Sequence, residues 1–242
     1  MSVKYAGSAR AKASGFIGLI VVAGLLATAC GGGPSQFVSN PPPPKVTFAY
    51  TANNASGSIS GYSVDTSTGV LTALSGFPMN IGGNPDFVLH DPSGKFLAVS
   101  DIANAKIHMY GINTTTGALT EIAPSPYTVE NEPLAMAFDP AGKFLYITSL
   151  QMNSVTAFTM NSSGVLSTIS GSPFATGGTL PLGETAVVDP SGKFFYMADI
   201  NNVYSFQINS STGALTLVST LPGPNSAGGM ALDPSGSLLR AG

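Results

Sequence analysis

The sequence predicts an all-β protein, a β-propeller of about four blades, of which three are complete and the first and last are partial. Three observations predict this fold: a six-residue motif recurs four times, a second marker recurs out of phase with it, and short β-type runs separate the two. A repeat interval near 48 residues is typical of architectures in which each repeat is one supersecondary unit. The repeat thus predicts the fold class independently of any single residue.

The first marker is a turn motif that recurs at intervals of 48, 50 and 44 residues. It reads DPSGKF, DPAGKF, DPSGKF and DPSGSL, beginning at Asp91, Asp139, Asp189 and Asp233. Asp, Pro and Gly at its first, second and fourth positions match a type I turn whose Asp side chain accepts backbone N–H groups. We expect a hairpin at each copy, with solvent-facing lysines at Lys95, Lys143 and Lys193.

The second marker is a Thr/Ser-Gly-x-Leu sequence that precedes one strand of each repeat. Its four copies begin at Thr68, Thr116, Ser163 and Thr212. Apolar β-type runs follow each turn motif, occupy the stretch before each second marker, follow that marker, and precede each Asp-Pro pair. Four antiparallel strands in about 48 residues are the unit of a propeller blade.

The composition agrees with many short strands and excludes several classes of site. Only 9% of the 242 residues are charged and 43% are hydrophobic, with 29 Gly and 18 Pro. The formal net charge of −3 argues against nucleic acid as a partner. The single cysteine, Cys30, excludes an internal disulfide framework and a cysteine-based zinc site, and no motif predicts a metal or another cofactor.

The N-terminal residues predict the cellular localisation of the protein. Residues 1–12 carry three basic residues, and residues 13–29 are apolar, which is the layout of a signal peptide. Residues 25–30 (LLATAC) resemble the lipobox of bacterial lipoproteins. This resemblance implies a signal peptide at 1–29, lipid attachment at Cys30, and an anchored protein outside the cytoplasm, periplasmic or on the surface. Plain secretion is the alternative.

Two further segments complete the predicted organisation. Residues 30–45 are rich in Gly and Pro and have no apolar period, so we expect a tether. Residues 46–242 carry the repeats, and their motifs resemble the lactonase-type propellers, which include a class of 6-phosphogluconolactonases and the YVTN-repeat surface proteins. That resemblance implies seven blades, so we expect a truncated arc. The alternative is a four-bladed ring closed by pairing 229–232 with 47–51.

The candidate site lies in the links between blades, at the end of the strands opposite the Asp-Pro turns. Loops on a rigid scaffold are favoured positions for binding residues. We expect three acidic residues to gather at the channel mouth as cation ligands or as a general base: Asp86, Glu132 and Glu184. Further candidates for the binding face are Asp101, Glu130 and Asp199. The alternative for Asp86, Glu132 and Glu184 is that they are solvated loop carboxylates.

The lactonase resemblance also implies His and Arg residues just before the inner strands, and this chain departs from it there. The corresponding positions hold Asp86, Leu134, Glu184 and Gly228. We expect His90 to pack within an inner strand and His108 to lie on the surface. The prediction is therefore a non-catalytic binding module for a protein or glycan. The alternatives are a lactone hydrolase with catalytic residues in blades beyond this chain, and a non-functional truncated product.

Overall fold

A computed structural model describes residues 47–130, 132–149, 153–178, 185–223, 230–232 and 239–241. The predicted signal peptide, the lipid-attachment residue Cys30, the tether and the candidate residue Glu184 lie outside the described residues. Within the described ranges, no helix is long and apolar enough to cross a membrane.

Five antiparallel sheets make up the described structure, and each corresponds to one blade. Blade 1 contains β1 (Thr47–Asn53), β2 (Ser58–Val64), β3 (Leu71–Ala73) and β4 (Met79–Asn80), with a 3-10 turn at Asn54–Ser56. Blade 2 contains β5 (Pro85–His90), β6 (Phe96–Asp101), β7 (Lys106–Ile112), β8 (Leu119–Glu121) and β9 (Tyr127–Thr128). Blade 3 contains β10 (Pro133–Phe138), β11 (Phe144–Ser149), β12 (Ser154–Met160), β13 (Leu166–Thr168) and β14 (Phe174–Ala175). Blade 4 contains β15 (Thr185–Val188), β16 (Phe194–Ala198), β17 (Asn202–Ile208) and β18 (Leu215–Pro222), and blade 5 contains β19 (Met230–Leu232) and β20 (Leu239–Ala241).

The predicted blade count is confirmed. Blades 2, 3 and 4 are complete, whereas blade 1 has no inner strand among the described residues and blade 5 has two described strands. The inner strands β5, β10, β15 and β19 follow one another side by side. Within the described ranges, no hydrogen-bonded ladder joins the first sheet to the last, so the sheets form an open arc and not a closed four-bladed ring.

The outer edge of blade 4 differs from the outer edges of blades 1 to 3. In blades 1 to 3 the outer edge consists of two short segments that pair with the two halves of one strand, as β3 and β4 pair with β2. A cis peptide bond precedes a proline between the segments in each case, for example at Pro78. In blade 4 the single strand β18 runs the full length of β17, with one bulge opposite Ser205 and Phe206.

The Asp-Pro-x-Gly motif forms the predicted type I turn. In the first copy the amide of Gly94 donates to the carbonyl of Asp91 at 2.9 Å. Asp91 Oδ1 accepts the backbone N–H groups of Lys95 and Phe96 at 2.9 and 2.8 Å. Backbone N–H groups of the turn therefore satisfy the aspartate carboxylate. The lysine of the motif is exposed in all three described copies, as predicted.

The Thr/Ser-Gly-x-Leu turn joins neighbouring blades. A Cβ placed on Gly117 would lie 2.6 Å from Leu74 and from Phe48 of the preceding blade. The fourth copy shows the same arrangement, with Gly213 against Ile169 and a phenyl ring of blade 3. Glycine is required here because its backbone has a positive φ and the preceding blade leaves no room for a side chain.

Apolar side chains pack between the blades in three clusters. One lies between blades 1 and 2, one between blades 2 and 3, and one between blades 3 and 4. The last is rich in aromatic rings, with the centroids of Tyr146 and Phe195 5.2 Å apart. Each blade is therefore stabilised by its neighbours, as expected for repeats that bury their faces only by stacking.

Candidate functional site

The strand register defines two ends of the arc. Each inner strand begins where the second strand ends, since Pro85 pairs with Asp101 and Pro133 with Ser149. We call this the link end, and the opposite end, which carries the Asp-Pro turns, the turn end. All described candidate residues lie at the link end, as the sequence predicts.

Asp86 is the second residue of the inner strand β5 and is half-buried. Burial raises the pKa of its carboxyl above the ordinary value. Among the described residues, none donates a hydrogen bond to it and none forms an ion pair with it. The carboxylate therefore carries a desolvation cost that no described neighbour offsets, which is typical of groups that act on a ligand.

Glu130 and Glu132 lie in the link that leads from blade 2 into β10. Glu130 accepts a short hydrogen bond from the hydroxyl of Ser154 at the start of β12. Glu132 has a backbone φ of 48°, in the left-handed region that residues other than Gly and Asn rarely adopt. The link thus holds Glu132 in an uncommon conformation directly before the inner strand.

Asp101 is the last residue of β6, and its buried carboxylate accepts hydrogen bonds from residues of the protein itself. Oδ1 accepts the amide of Asn84 at 3.0 Å, and Oδ2 accepts the side-chain amide of Asn104 at 2.7 Å. Burial acts to raise the pKa of Asp101, but the hydrogen bonds from Asn104 and Asn84 outweigh it and lower the pKa below the ordinary value. Asp101 therefore fixes the link that precedes β5.

Asp199 has the same place in blade 4 and is also buried. Its Oδ1 accepts the amides of Asn201 and Asn202, both at 2.7 Å, and its Oδ2 accepts the hydroxyl of Tyr204 at 2.6 Å. Burial, together with this bond, raises the pKa of Tyr204 to about 12. The carboxylates of Asp101 and Asp199 thus organise hairpins at the link end.

The prediction that His108 lies on the surface is wrong. The residue is only 7% exposed, because its ring stacks on Tyr110 and lies between two carboxylates. Nδ1 is 2.8 Å from Oε1 of Glu121, and Nε2 is 3.7 Å from Oδ2 of Asp101. The prediction for His90 is confirmed, since it lies half-buried in β5 with Nδ1 2.8 Å from the carbonyl of Asp91.

The structure separates the five described candidates into two groups. Asp101 and Asp199 are buried and internally bonded, whereas Asp86, Glu130 and Glu132 are half-buried in or beside the links. Among the described residues, no three His, Cys, Asp or Glu side chains form a group that could hold a metal ion. The donors Asn104 and Asn202 are not among the residues predicted from the sequence. Their spacing of three residues after an aspartate is a signal for a side-chain-capped turn.

Comparisons with known proteins agree with this architecture. Residues 43–138 and 121–228 match the family model described as lactonase, 7-bladed beta-propeller. No curated protein matches the chain. A solved structure from Bacteroides fragilis, described as a candidate 6-phosphogluconolactonase, is 24% identical with a TM-score of 0.68, covering 81% of this chain and 60% of its own.

The periplasmic gluconolactonase PpgL of Pseudomonas aeruginosa is similar at 19% identity with a TM-score of 0.66, covering 80% of this chain and 59% of its own. These identities show a common fold, and the chain spans about 60% of the length of the solved structures it matches. The repeats, the open arc of blades and the family match agree, and the chain belongs to the lactonase family of seven-bladed β-propellers.

Proposed function

We propose that this protein is a membrane-tethered, extracytoplasmic β-propeller lipoprotein that binds an uncharged sugar or sugar lactone at the link end. The observation that carries the proposal is Asp86, a half-buried carboxylate at the start of an inner strand with no described partner. Carboxylates of this kind accept hydrogen bonds from hydroxyl groups, of which sugars have many. The lipobox-like residues 25–30 support the tether and the location.

Charge at the link end favours a ligand without phosphate. Three of the described lysines, Lys95, Lys143 and Lys193, follow the Asp-Pro turns at the opposite end. Lys106 lies at the link end, and its ammonium group donates to Thr128 Oγ1 at 2.6 Å. A phosphorylated sugar would meet Asp86 and its acidic neighbours with few cations to offset the repulsion.

Hydrolysis of a lactone is the second candidate function, favoured by the family match and by the raised pKa of Asp86. In this reaction a base takes a proton from water while the water oxygen attacks the lactone carbonyl. The ring C–O bond then breaks, and the proton passes from the base to the departing ring oxygen to give the hydroxy acid. A carboxylate whose pKa is raised above its ordinary value is a better base than an ordinary one. Asp86 would take that proton.

One experiment tests binding and hydrolysis together. The full chain and its Asp86→Asn variant are titrated calorimetrically with neutral sugars, and lactone opening is followed in a pH-stat with gluconolactone and with 6-phosphogluconolactone. We expect weaker binding in the variant and a preference for the unphosphorylated compound. Asp65→Asn is the matched control, because Asp65 is a fully exposed carboxylate in a turn-end loop. Unchanged binding and lactone opening in Asp86→Asn, or a preference for the phosphorylated lactone, would refute the proposal.

The anchor is tested separately. Cells that express the full chain are fed an alkyne-tagged fatty acid, and the label and membrane fraction of the wild type are compared with those of Cys30→Ser. We expect labelled, membrane-bound wild type and an unlabelled variant. A label retained in Cys30→Ser would contradict lipid attachment at this residue and would leave the link-end proposal unaffected.

A further inference from the structure

One of the four Thr/Ser-Gly turns is a residue shorter than the other three. The turn of blade 4 reads NSSTG from Asn209, and those of blades 1 and 2 have the same length, whereas the turn of blade 3 reads NSSG from Asn161. The amide of Gly213 donates to the carbonyl of Asn209, four residues earlier, while the amide of Gly164 donates to that of Asn161, three residues earlier. Blade 3 therefore has the more compact turn.

A contact between blades is missing at the shorter turn. Between blades 3 and 4, the ammonium group of Lys143 donates to the carbonyl oxygens of Ser211 and Ser210 at 3.1 and 3.5 Å. The corresponding lysine between blades 2 and 3 is Lys95, and within the described ranges its ammonium group has no hydrogen-bond acceptor and no ion-pair partner. A solvent-open cavity of about 290 Å³, which we call the turn-end cavity, lies beside it.

Polar donors from both blades line the turn-end cavity. Lys95 and Ser93 come from blade 2, and Lys143, Asn161 and Ser162 come from blade 3. The Asn161 side-chain oxygen accepts two amides of its own turn, at 2.9 and 3.0 Å. In the part of the chain that the structure describes, neither the Asn161 side-chain NH₂ group nor the Ser162 hydroxyl has a partner. The cavity thus has an ammonium, an amide and a hydroxyl group available for a ligand.

The acidic side chain in the cavity wall is Asp91, and its carboxylate is already satisfied. It is 2% exposed, and it accepts the amides of Lys95 and Phe96 on one oxygen and the amide and hydroxyl of Ser93 on the other. The cavity wall therefore has two ammonium groups against one internally bonded carboxylate. This charge balance favours an anionic ligand.

We propose that the turn-end cavity binds a small hydroxy acid, with its carboxylate on the ammonium group of Lys95 and its hydroxyl groups on Asn161 and Ser162. Lys143 shows what a lysine at this position binds, because its ammonium group contacts two neighbouring carbonyl oxygens. A carboxylate offers two such oxygens in one group and adds a negative charge, which strengthens the hydrogen bonds.

The dimensions and the location of the cavity define the proposal further. Its volume is close to the smallest that small-molecule sites commonly have, so the ligand is small. The cavity lies between two complete blades, at the end of the strands opposite Asp86. The inference is therefore independent of the link-end ligand.

Calorimetric titration of the full chain in detergent tests this site, with glycerate as the probe and at constant ionic strength. Glycerate has one carboxylate and two hydroxyl groups, and propionate, which has no hydroxyl group, should bind more weakly. Lys95→Ala should weaken glycerate binding about tenfold or more, because it removes the charged donor. Lys193→Ala is the matched control, since Lys193 is an exposed lysine at the same motif position and does not line the cavity.

An insertion provides a second test, because it restores the missing residue. A threonine inserted between Ser163 and Gly164 gives blade 3 the turn sequence of blade 4. We expect the longer turn to supply carbonyl acceptors for Lys95, fill the cavity and weaken glycerate binding at least as much as Lys95→Ala. Thermal melts establish that the insertion variant is folded, and Lys95→Ala alone decides the question if it is not.

Several outcomes would overturn the proposal. They are a wild type that does not bind glycerate, equal binding by wild type and Lys95→Ala, and a loss in Lys193→Ala as large as that in Lys95→Ala. Sulfate and phosphate are titrated under the same conditions, and binding of either as tight as that of glycerate would contradict a carboxylate ligand. Equal binding of propionate and glycerate would contradict the role of the hydroxyl groups. Asp86→Asn should leave glycerate binding unchanged, which separates this site from the link end.

Discussion

Tyr146 in blade 3 donates its phenolic hydrogen to the carbonyl oxygen of Gly213 in blade 4, at 2.9 Å. Tyr50 makes the same bond to Gly117 between blades 1 and 2, and in both pairs the partners are 67 residues apart. The hydroxyl is buried, and burial, with the charge of Asp139 as a lesser cause, raises the pKa of Tyr146 well above its usual range. This hydrogen bond thus connects adjacent blades beneath their turns.

Tyr146→Phe should lower the free energy of unfolding by about 1–2 kcal/mol, because it leaves the buried Gly213 carbonyl without its donor. Denaturant unfolding measures this change. Tyr196→Phe is the matched control, because Tyr196 has the same position in blade 4 and no described acceptor, and we expect a smaller effect. Equal losses for the two variants would contradict the assigned role of the bond.

Gly213→Ala should be more harmful than Gly69→Ala although both glycines have a φ of 75°. A left-handed alanine costs about 1 kcal/mol at either position. At Gly213 the added methyl also collides with Phe144 and Ile169, so the total there should be about 2–4 kcal/mol. Thermal and denaturant unfolding of the two variants at low protein concentration measure the difference, and equal losses would show that packing against blade 3 is unimportant.

Local patterns explain why most of the fold could be predicted. The turn at Asp91 depends on six consecutive residues, so its conformation and its saturated carboxylate follow from the motif alone. The sequence predicts a strand directly after the third turn motif, and it is observed as β16, Phe194–Ala198. A blade repeats such local elements, so a prediction that is right for one copy holds for the others.

Contacts between strands explain what the sequence could not predict. His108 occupies a position that is Ser60, Thr156 or Tyr204 in the other blades, which suggests tolerance of polar groups but does not reveal burial. Its environment depends on Glu121 and Asp101, which lie on the two neighbouring strands. Likewise, the internal bonding of the Asp101 carboxylate depends on Asn84, which is 17 residues away.

Asp189→Asn should lower the stability at neutral pH by about 1 kcal/mol, a value that allows for partial solvent exposure. Burial opposes the charge of Asp189, but hydrogen bonds from Ser191, Phe194 and Lys193 outweigh it and lower the pKa of its carboxyl. A folded-state pKa below the unfolded one stabilises the protein above about pH 4, and this contribution is lost as the pH falls through the folded value.

The difference between wild type and Asp189→Asn should therefore shrink on acidification below about pH 4, in unfolding curves measured at several pH values. Lys193→Ala is the control in the same turn, and as an exposed substitution it should change the stability by no more than about 0.5 kcal/mol. If the difference in stability between wild type and Asp189→Asn is independent of pH, the effect arises from side-chain shape and not from charge.

Asp86→Asn should raise the stability at neutral pH, the opposite sign to Asp189→Asn. Burial raises the pKa of Asp86, so the folded state binds its proton more tightly than the unfolded state. Stability is then greatest below the unfolded pKa, near 4, and falls as the pH rises through the folded value. Removing the charge abolishes that loss, and after solvent screening we expect a gain of about 0.5–1 kcal/mol at pH 7.

Unfolding curves at pH 7 and pH 3 measure this gain, which should disappear at pH 3 because Asp86 is then protonated in both states. Asp65→Asn should lower the stability at pH 7, since the amides of Ser67 and Thr68 lower the pKa of Asp65. A gain that persists at pH 3 would mean that asparagine makes new contacts. A gain in stability that occurs only at neutral pH would show that the charge of Asp86 destabilises the fold. This is expected for a residue whose role is to bind a ligand.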